Sequence, residues 1–245
     1  LTGPSSYTGI TTVDAGILSV ASSGAPGTSN VTVTSGAPLN IADGVALTSP
    51  SSINLAGTGV TRSGASVGAL TGTGTASYSG NLVLSGVTGI GAALGDTLTL
   101  GGSRSGAGSL TKLGDGTVVL GGSASYAGGT TVDAGVLTAG NATALGTAGT
   151  VTVKSGGTLN NADGITLAAG TPISLYGTLR GTGTAGYAGP VTLEAASARI
   201  DTPLAGDTLT LSAAMDGSGS LTKSGAGTLT LAGPGSFAGT TRVTD

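Results

Sequence analysis

Ser105-Gly-Ala-Gly-Ser-Leu-Thr-Lys-Leu-Gly-Asp-Gly-Thr-Val-Val-Leu120, continuing Gly-Gly-Ser-Ala-Ser-Tyr126-Ala-Gly-Gly-Thr-Thr-Val132-Asp-Ala-Gly-Val-Leu137, decides the fold. Short runs that alternate an aliphatic residue with Thr are separated by glycine pairs, and one aromatic residue precedes the third run. Period-2 alternation over a few residues is the pattern of a half-buried strand, apolar on one face and hydroxyl-rich on the other. The same unit returns as Gly217–Val243, with Phe237 in the place of Tyr126, and Leu1–Leu18 repeats it without its front. A recurring strand–turn–strand unit is the mark of a solenoid.

Working outward, the chain aligns with itself. Tyr7 matches Tyr126 and Asp14 matches Asp133, while Asp43 matches Asp163 and Asp96 matches Asp207. The spacing predicts large repeats over about 1–119 and 120–230, with 231–245 starting a further copy of one continuous structure. Inside each repeat lie segments such as Leu98–Leu100, Val118–Leu120, Val151–Val153 and Leu209–Leu211, bounded by Gly or Asp-Gly. A sandwich core relies on aromatic packing, and only 2% of these residues are aromatic. A propeller would show a repeat of about 40–50 residues. The strands therefore predict an all-β chain, a right-handed parallel β-helix of roughly ten to twelve coils around a narrow aliphatic core.

Composition excludes several functions. Histidine is absent, which removes Ser-His-Asp and Cys-His catalysis, a His base and His-liganded zinc. The loop Met215–Ser220 looks like a serine nucleophile turn, but it has no histidine to work with, and its counterpart Ser103–Ser109 makes it a repeat turn. Gly114-Asp115-Gly116 lacks the tandem that calcium β-rolls need. Eight Lys and Arg, spread singly in a chain of net charge −3, argue against nucleic acid. No long apolar helix is present, and five Tyr and one Phe cannot supply the aromatic girdles of a membrane barrel. Cysteine is absent, which suits a chain that must stay unfolded through an oxidising compartment.

What remains reads as architecture. Asp14, Asp43, Asp96 and their partners recur at equivalent turns, as structural residues would. Lys112 and Lys223 occupy matching places and read as solvated charges that blunt association. Asn40, Asn160 and Asn161 read as corner residues. The recurring aromatics Tyr7, Tyr126 and Phe237, and Tyr78 with Tyr187, read as corner packing. No catalytic, cofactor or metal residue is assigned, and no cofactor is expected.

The motif Leu-Thr-Lys-x-Gly-x-Gly-Thr-(Leu/Val)-x-Leu-x-Gly-x-x-x-(Tyr/Phe)-x-Gly-x-Thr-x-Val, at 110–132 and 221–243, resembles the autotransporter-associated β-strand repeat of bacterial type V secreted passengers. The resemblance implies export, a β-helix on the bacterial surface or outside the cell, and an outer-membrane translocator barrel outside this sequence. It also implies adhesion, aggregation or biofilm. The expected role is a non-catalytic structural or adhesive stalk. Its partners would be further copies, through end-to-end or lateral self-association into a fibre, or host and cell-surface ligands, with no membrane insertion within the chain. The alternative is the β-helix scaffold of a carbohydrate-active enzyme, or a carrier of an effector domain; its discriminator is a groove holding acids from adjacent coils.

Overall fold

The computed structural model describes residues 1–62 and 64–245. Those residues form no helix, and their strands wind into a β-solenoid of about 11 turns, within the expected range. At a strand separation of ~4.8 Å such a stack is about 50 Å long. Glycine and threonine disfavour helix, and each short aliphatic/Thr run has just enough residues to form one side of a turn. Successive turns pair in parallel, with register partners mostly 20 to 22 residues apart, as in Thr11↔Val31 and Ile90↔Lys112.

Each turn has three sides. Face I carries Thr11–Val13, Val31–Val33, Ser52–Gly57 and, later, Thr184–Tyr187, Thr208–Leu211 and Thr228–Leu231. Face II carries Leu18–Val20, Leu39–Ile41, Leu70–Gly72, Ser109–Leu113 and their successors down to Met215–Gly217. Face III carries Thr75–Tyr78, Thr97–Leu100 and Thr117–Leu120, and continues to Thr178–Gly181, Arg199–Asp201, Leu221–Ser224 and Thr241–Val243.

Inward side chains stack as ladders. Down face II run Leu18, Leu39, Leu70, Ile90, Lys112, Val132, Val153, Leu175 and Leu193. Down face III run Ala76, Leu98, Val118, Leu137, Leu159, Leu179, Ile200, Lys223 and Val243. Most of these aliphatic groups are fully buried in one continuous core. Each contributes about 1.5–3 kcal/mol on burial, and each depends on the turn above and below it for that burial.

The two ladders reveal how the copies of the repeat are related. Leu18 and Leu137 are the same position in successive copies, as are Lys112 and Lys223. From Leu18 the register runs five steps down face II to Val132. Leu137 lies five residues further along the chain, on face III. A copy is thus five turns plus one face, and each copy is carried one face further around the axis. Tyr78 on face III accordingly becomes Tyr187 on face I.

One insertion breaks the likeness. Leu55 to Leu70 spans 15 residues where its counterpart, Leu175 to Leu179, spans 4, so the first copy holds 11 extra residues (15 − 4). These include the antiparallel pair Thr61–Arg62 and Ala65–Ser66, which lies on face II. It lies close because Gly89 and Gly91 have no side chains: a Cβ on Gly89 would stand 3.0 Å from Cα of Thr58, and one on Gly91 would run into the Val67 carbonyl oxygen.

The asparagines are not corner residues. Asn40 lies within Leu39–Ile41, and Asn160 and Asn161 lie within the strand Val151–Asn161. Asn161 is wholly buried, pairs in register between Ala139 and Gly181, and donates to the Gly186 carbonyl at 2.7 Å.

Candidate functional site

The recurring lysines are held inside the solenoid. Lys112 was expected in solvent, yet it stands in the face II ladder between Ile90 and Val132, and it is completely buried. Its ammonium donates to the carbonyls of Leu113 at 3.1 Å, Gly114 at 2.6 Å and Ala134 at 3.0 Å. Gly114, at φ 74°, makes the corner, a left-handed conformation that favours glycine. Lys223 repeats the arrangement on face III, donating to Ser224 at 2.9 Å and Gly225 at 2.6 Å, with Gly225 at φ 78°. The Lys-x-Gly of the motif is therefore one device: an inward lysine that ties down the carbonyls of its own corner. Burial lowers the Lys112 ammonium to a pKa of about 8, against the opposing pull of Asp115 and Asp133. The strand alternation carried this signal, since Lys sits two residues after an inward Leu in both copies.

Other recurring groups also hold backbone. Asp43 accepts from the Thr75 amide and Asp96 from the Gly74 amide, both at 2.8 Å; Asp163 and Asp207 accept from Thr184 and Gly183 at 2.7 Å. Tyr78, Tyr126 and Tyr187 are buried. The Tyr78 hydroxyl donates to the Pro50 carbonyl at 2.9 Å, Tyr126 bonds the Thr130 hydroxyl at 2.5 Å, and Tyr187 donates to the Thr171 carbonyl. Burial pushes the Tyr126 phenol up to about 12, partly countered by its bond to Thr130.

Arg104, which the sequence placed in a plain turn, points inward between Leu82 and Ala124 and is 1% exposed. Its guanidinium donates to the carbonyls of Leu100, Gly102 and Gly122, and burial lowers its pKa to about 10.

Two surface features do not recur. The first is a groove of about 860 Å³ beside the inserted hairpin, lined by Arg62, Val67, Thr71, Asp96, Asp115 and Asp133 among others. Its three acids come from successive turns. Asp96 is bonded to the Gly74 amide and Asp133 is paired with Lys154, which leaves Asp115 exposed at its corner.

The second lies on the outer side of face III. Arg180 and Arg199 flank Asp201: Arg180 Nε donates to Oδ2 at 2.9 Å, and Arg199 Nη2 stands 3.5 Å from Oδ1. Ser224 Oγ donates to Asp201 Oδ1 at 2.8 Å and receives the Arg199 Nε. Burial pushes the Asp201 carboxyl up, but the Ser224 hydroxyl and the Arg180 guanidinium outweigh it and hold the carboxyl below its usual range. Positive charges that look scattered along the sequence are gathered here, because turns of about 20 residues bring Arg180 and Arg199 onto neighbouring strands.

Among the described residues no three His, Cys, Asp or Glu side chains are grouped to hold a metal ion.

Residues 1–20, 110–139 and 221–245 match the family model of the passenger-associated-transport-repeat. No curated protein and no solved structure matches the chain. Segments 110–139 and 221–245 carry the inward lysines and their Lys-x-Gly corners, and all three segments carry the recurring aromatic, Tyr7, Tyr126 or Phe237. Such repeats imply secretion to the cell surface or the extracellular space, with a translocator barrel encoded elsewhere. Three segments of this solenoid, under a third of its residues, are thus similar to the passenger-associated-transport-repeat, which supports a resemblance to autotransporter passengers.

Proposed function

We propose that the chain is a non-catalytic structural and adhesive stalk of a bacterial surface protein. The observation that carries the reading is the use made of polar groups that recur between copies. Lys112 with Lys223, Asp43 with Asp163, and Asp96 with Asp207 are all engaged with backbone amides or carbonyls. What the repeat propagates is corner-holding chemistry, which builds length. Because each copy advances by one face, added copies present their outer surfaces in rotation around the rod. Such a stalk reaches ligands from several sides.

The test is display of the intact chain on a bacterial surface, scored for adhesion to host cells and for aggregation. Gain of either over a barrel-only control is expected; loss of both would remove the adhesive role. The carbohydrate-active alternative draws support from the three acids of the groove. The commitments of Asp96 and Asp133 to structural bonds weigh against it. Polysaccharide cleavage by the chain, abolished by Asp115→Asn, would overturn the non-catalytic reading.

A further inference from the structure

Most polar groups that hold the solenoid's backbone recur from copy to copy, the buried Arg104 excepted, so a surface polar cluster found in one copy alone calls for a separate account. Register defines the counterparts of the face III cluster. Thr71 and Gly91 pair in the first copy as Arg180 and Asp201 do in the second. Gly91 pairs with Leu113 as Asp201 pairs with Ser224, and Gly89 pairs with Thr111 as Arg199 pairs with Thr222. Four positions, Thr71, Gly89, Gly91 and Leu113, have thus become Arg180, Arg199, Asp201 and Ser224 together. In the first copy this patch is covered by the inserted hairpin; in the second it has no hairpin over it.

The cluster is built to orient charge outward. Asp201 is 5% exposed and Ser224 1%, whereas the side chains of Arg180 and Arg199 are 35% and 51% exposed. One buried carboxylate and one buried hydroxyl fix both guanidiniums through their inner nitrogens. Among the described residues no protein acceptor takes the terminal amino groups of Arg180 or Nη1 of Arg199. Two planar forks held on adjacent strands, ~4.8 Å apart along the axis, suit the paired oxygens of a carboxylate or sulfate. Arg242 extends the row: Thr178, Arg199, Thr222 and Arg242 form one outer ladder.

An exposed aromatic residue lies close by in the chain. Tyr176 is 40% exposed, two residues before Thr178, the register partner of Arg199. Unlike the buried tyrosines it does not recur, and its counterpart is Ala56. An exposed ring two residues from the arginine ladder offers an apolar face for a sugar ring, and the guanidiniums and threonine hydroxyls of the ladder offer donors for its substituents. Nucleic acid would need many phosphate contacts, and this face supplies three cations on a chain of net charge −3.

We propose that Tyr176, Arg180 and Arg199 form a binding site for an acidic polysaccharide, with the guanidiniums taking its carboxylate or sulfate groups and Tyr176 stacking on a ring. Titration of the full chain with polygalacturonate, dextran sulfate, uncharged dextran and an oligodeoxythymidylate tests this, the first two distinguishing carboxylate from sulfate. Binding to at least one acidic polysaccharide and none to dextran is expected. Arg199→Gln and Tyr176→Ala should each weaken it tenfold or more with the melting temperature unchanged, while Arg62→Gln on the hairpin should leave it intact. The site is refuted by no binding of either acidic polymer, by equal weakening in Arg62→Gln, or by oligodeoxythymidylate binding as tightly. It is also refuted if affinity falls only in step with thermal stability; the exposed Tyr176 keeps that outcome readable where an arginine variant misfolds. A rod that adheres to cells yet ignores these polymers removes only the site. One that binds them yet does not adhere removes only the adhesive role.

Discussion

Lys112→Met tests whether the buried lysine of the motif holds its corner. The substitution keeps an unbranched chain in the face II ladder between Ile90 and Val132 and removes the donor to three carbonyls, those of Leu113, Gly114 and Ala134. Hydrogen bonds from a charged donor contribute about 1.5–3 kcal/mol each. Desolvating the ammonium offsets most of that total, since a buried ion costs several kcal/mol. The balance leaves Lys112→Met destabilised by about 1–3 kcal/mol, chiefly from carbonyls that lose their partner. Lys112→Ala should cost about 2–3 kcal/mol more, through the lost stem and the cavity. Urea unfolding followed by far-ultraviolet circular dichroism measures both, with Lys154→Met, an exposed pair with Asp133, expected to cost under about 1 kcal/mol. The wild-type pH profile gives an independent reading. With the folded pKa at about 8 and the unfolded one near ~10.4, the unfolded chain binds more protons in between. Stability should therefore rise from pH 8 to about 10 and stay flat in Lys112→Met. A methionine variant as stable as wild type, or one that keeps the rise, would refute the corner-holding role.

Two further outcomes follow from the packing. Gly91→Ala should lift the hairpin from face II, because its Cβ meets the Val67 carbonyl; limited proteolysis between residues 58 and 68 should accelerate while the circular dichroism of the solenoid is unchanged, and unaltered cleavage would show that the hairpin is not seated by that glycine. Tyr126→Phe should cost about 1 kcal/mol, since Phe237 fills the matching place without a hydroxyl. With the Tyr126 phenol raised to about 12, wild-type stability present below pH 10 should fall as pH climbs from 10 to 12; Tyr126→Phe should soften that fall, and an unchanged alkaline profile would refute it.

The sequence made the solenoid legible because alternation and glycine spacing act within one turn, and because self-alignment exposes positions that must stack. It misread Lys112 and Lys223 because burial of an ammonium depends on a corner folding its carbonyls back, and composition does not display that geometry. The alternation itself, Leu110-Thr111-Lys112, put the lysine on the inward side. Arg104 escaped for a related reason: its counterpart is Met215, so no recurrence flagged it, and its two terminal amino groups are met by carbonyls of Leu100, Gly102 and Gly122. The Arg180–Arg199 pair was invisible because residues 19 apart become neighbours only once the turn length is known.

Recurrence therefore sorts the polar residues of this chain by role. A group that returns in each copy has the same backbone to satisfy each time, and the bonds of Lys112, Asp43 and Asp96 are of that kind. A group found in one copy is not part of what every copy needs: the buried Arg104 serves its own turn alone, and an exposed group of this kind is free for a role outside the fold. Tyr176, Arg180, Arg199 and Asp201 stand where the first copy has Ala56, Thr71, Gly89 and Gly91. Substituting the second set into the first should reproduce the pair on face II only if the hairpin is also removed, because Gly89 and Gly91 are what allow the hairpin to lie there. Hairpin and arginine pair are alternative coverings of one patch, and the next copy of the repeat would offer that patch on face I.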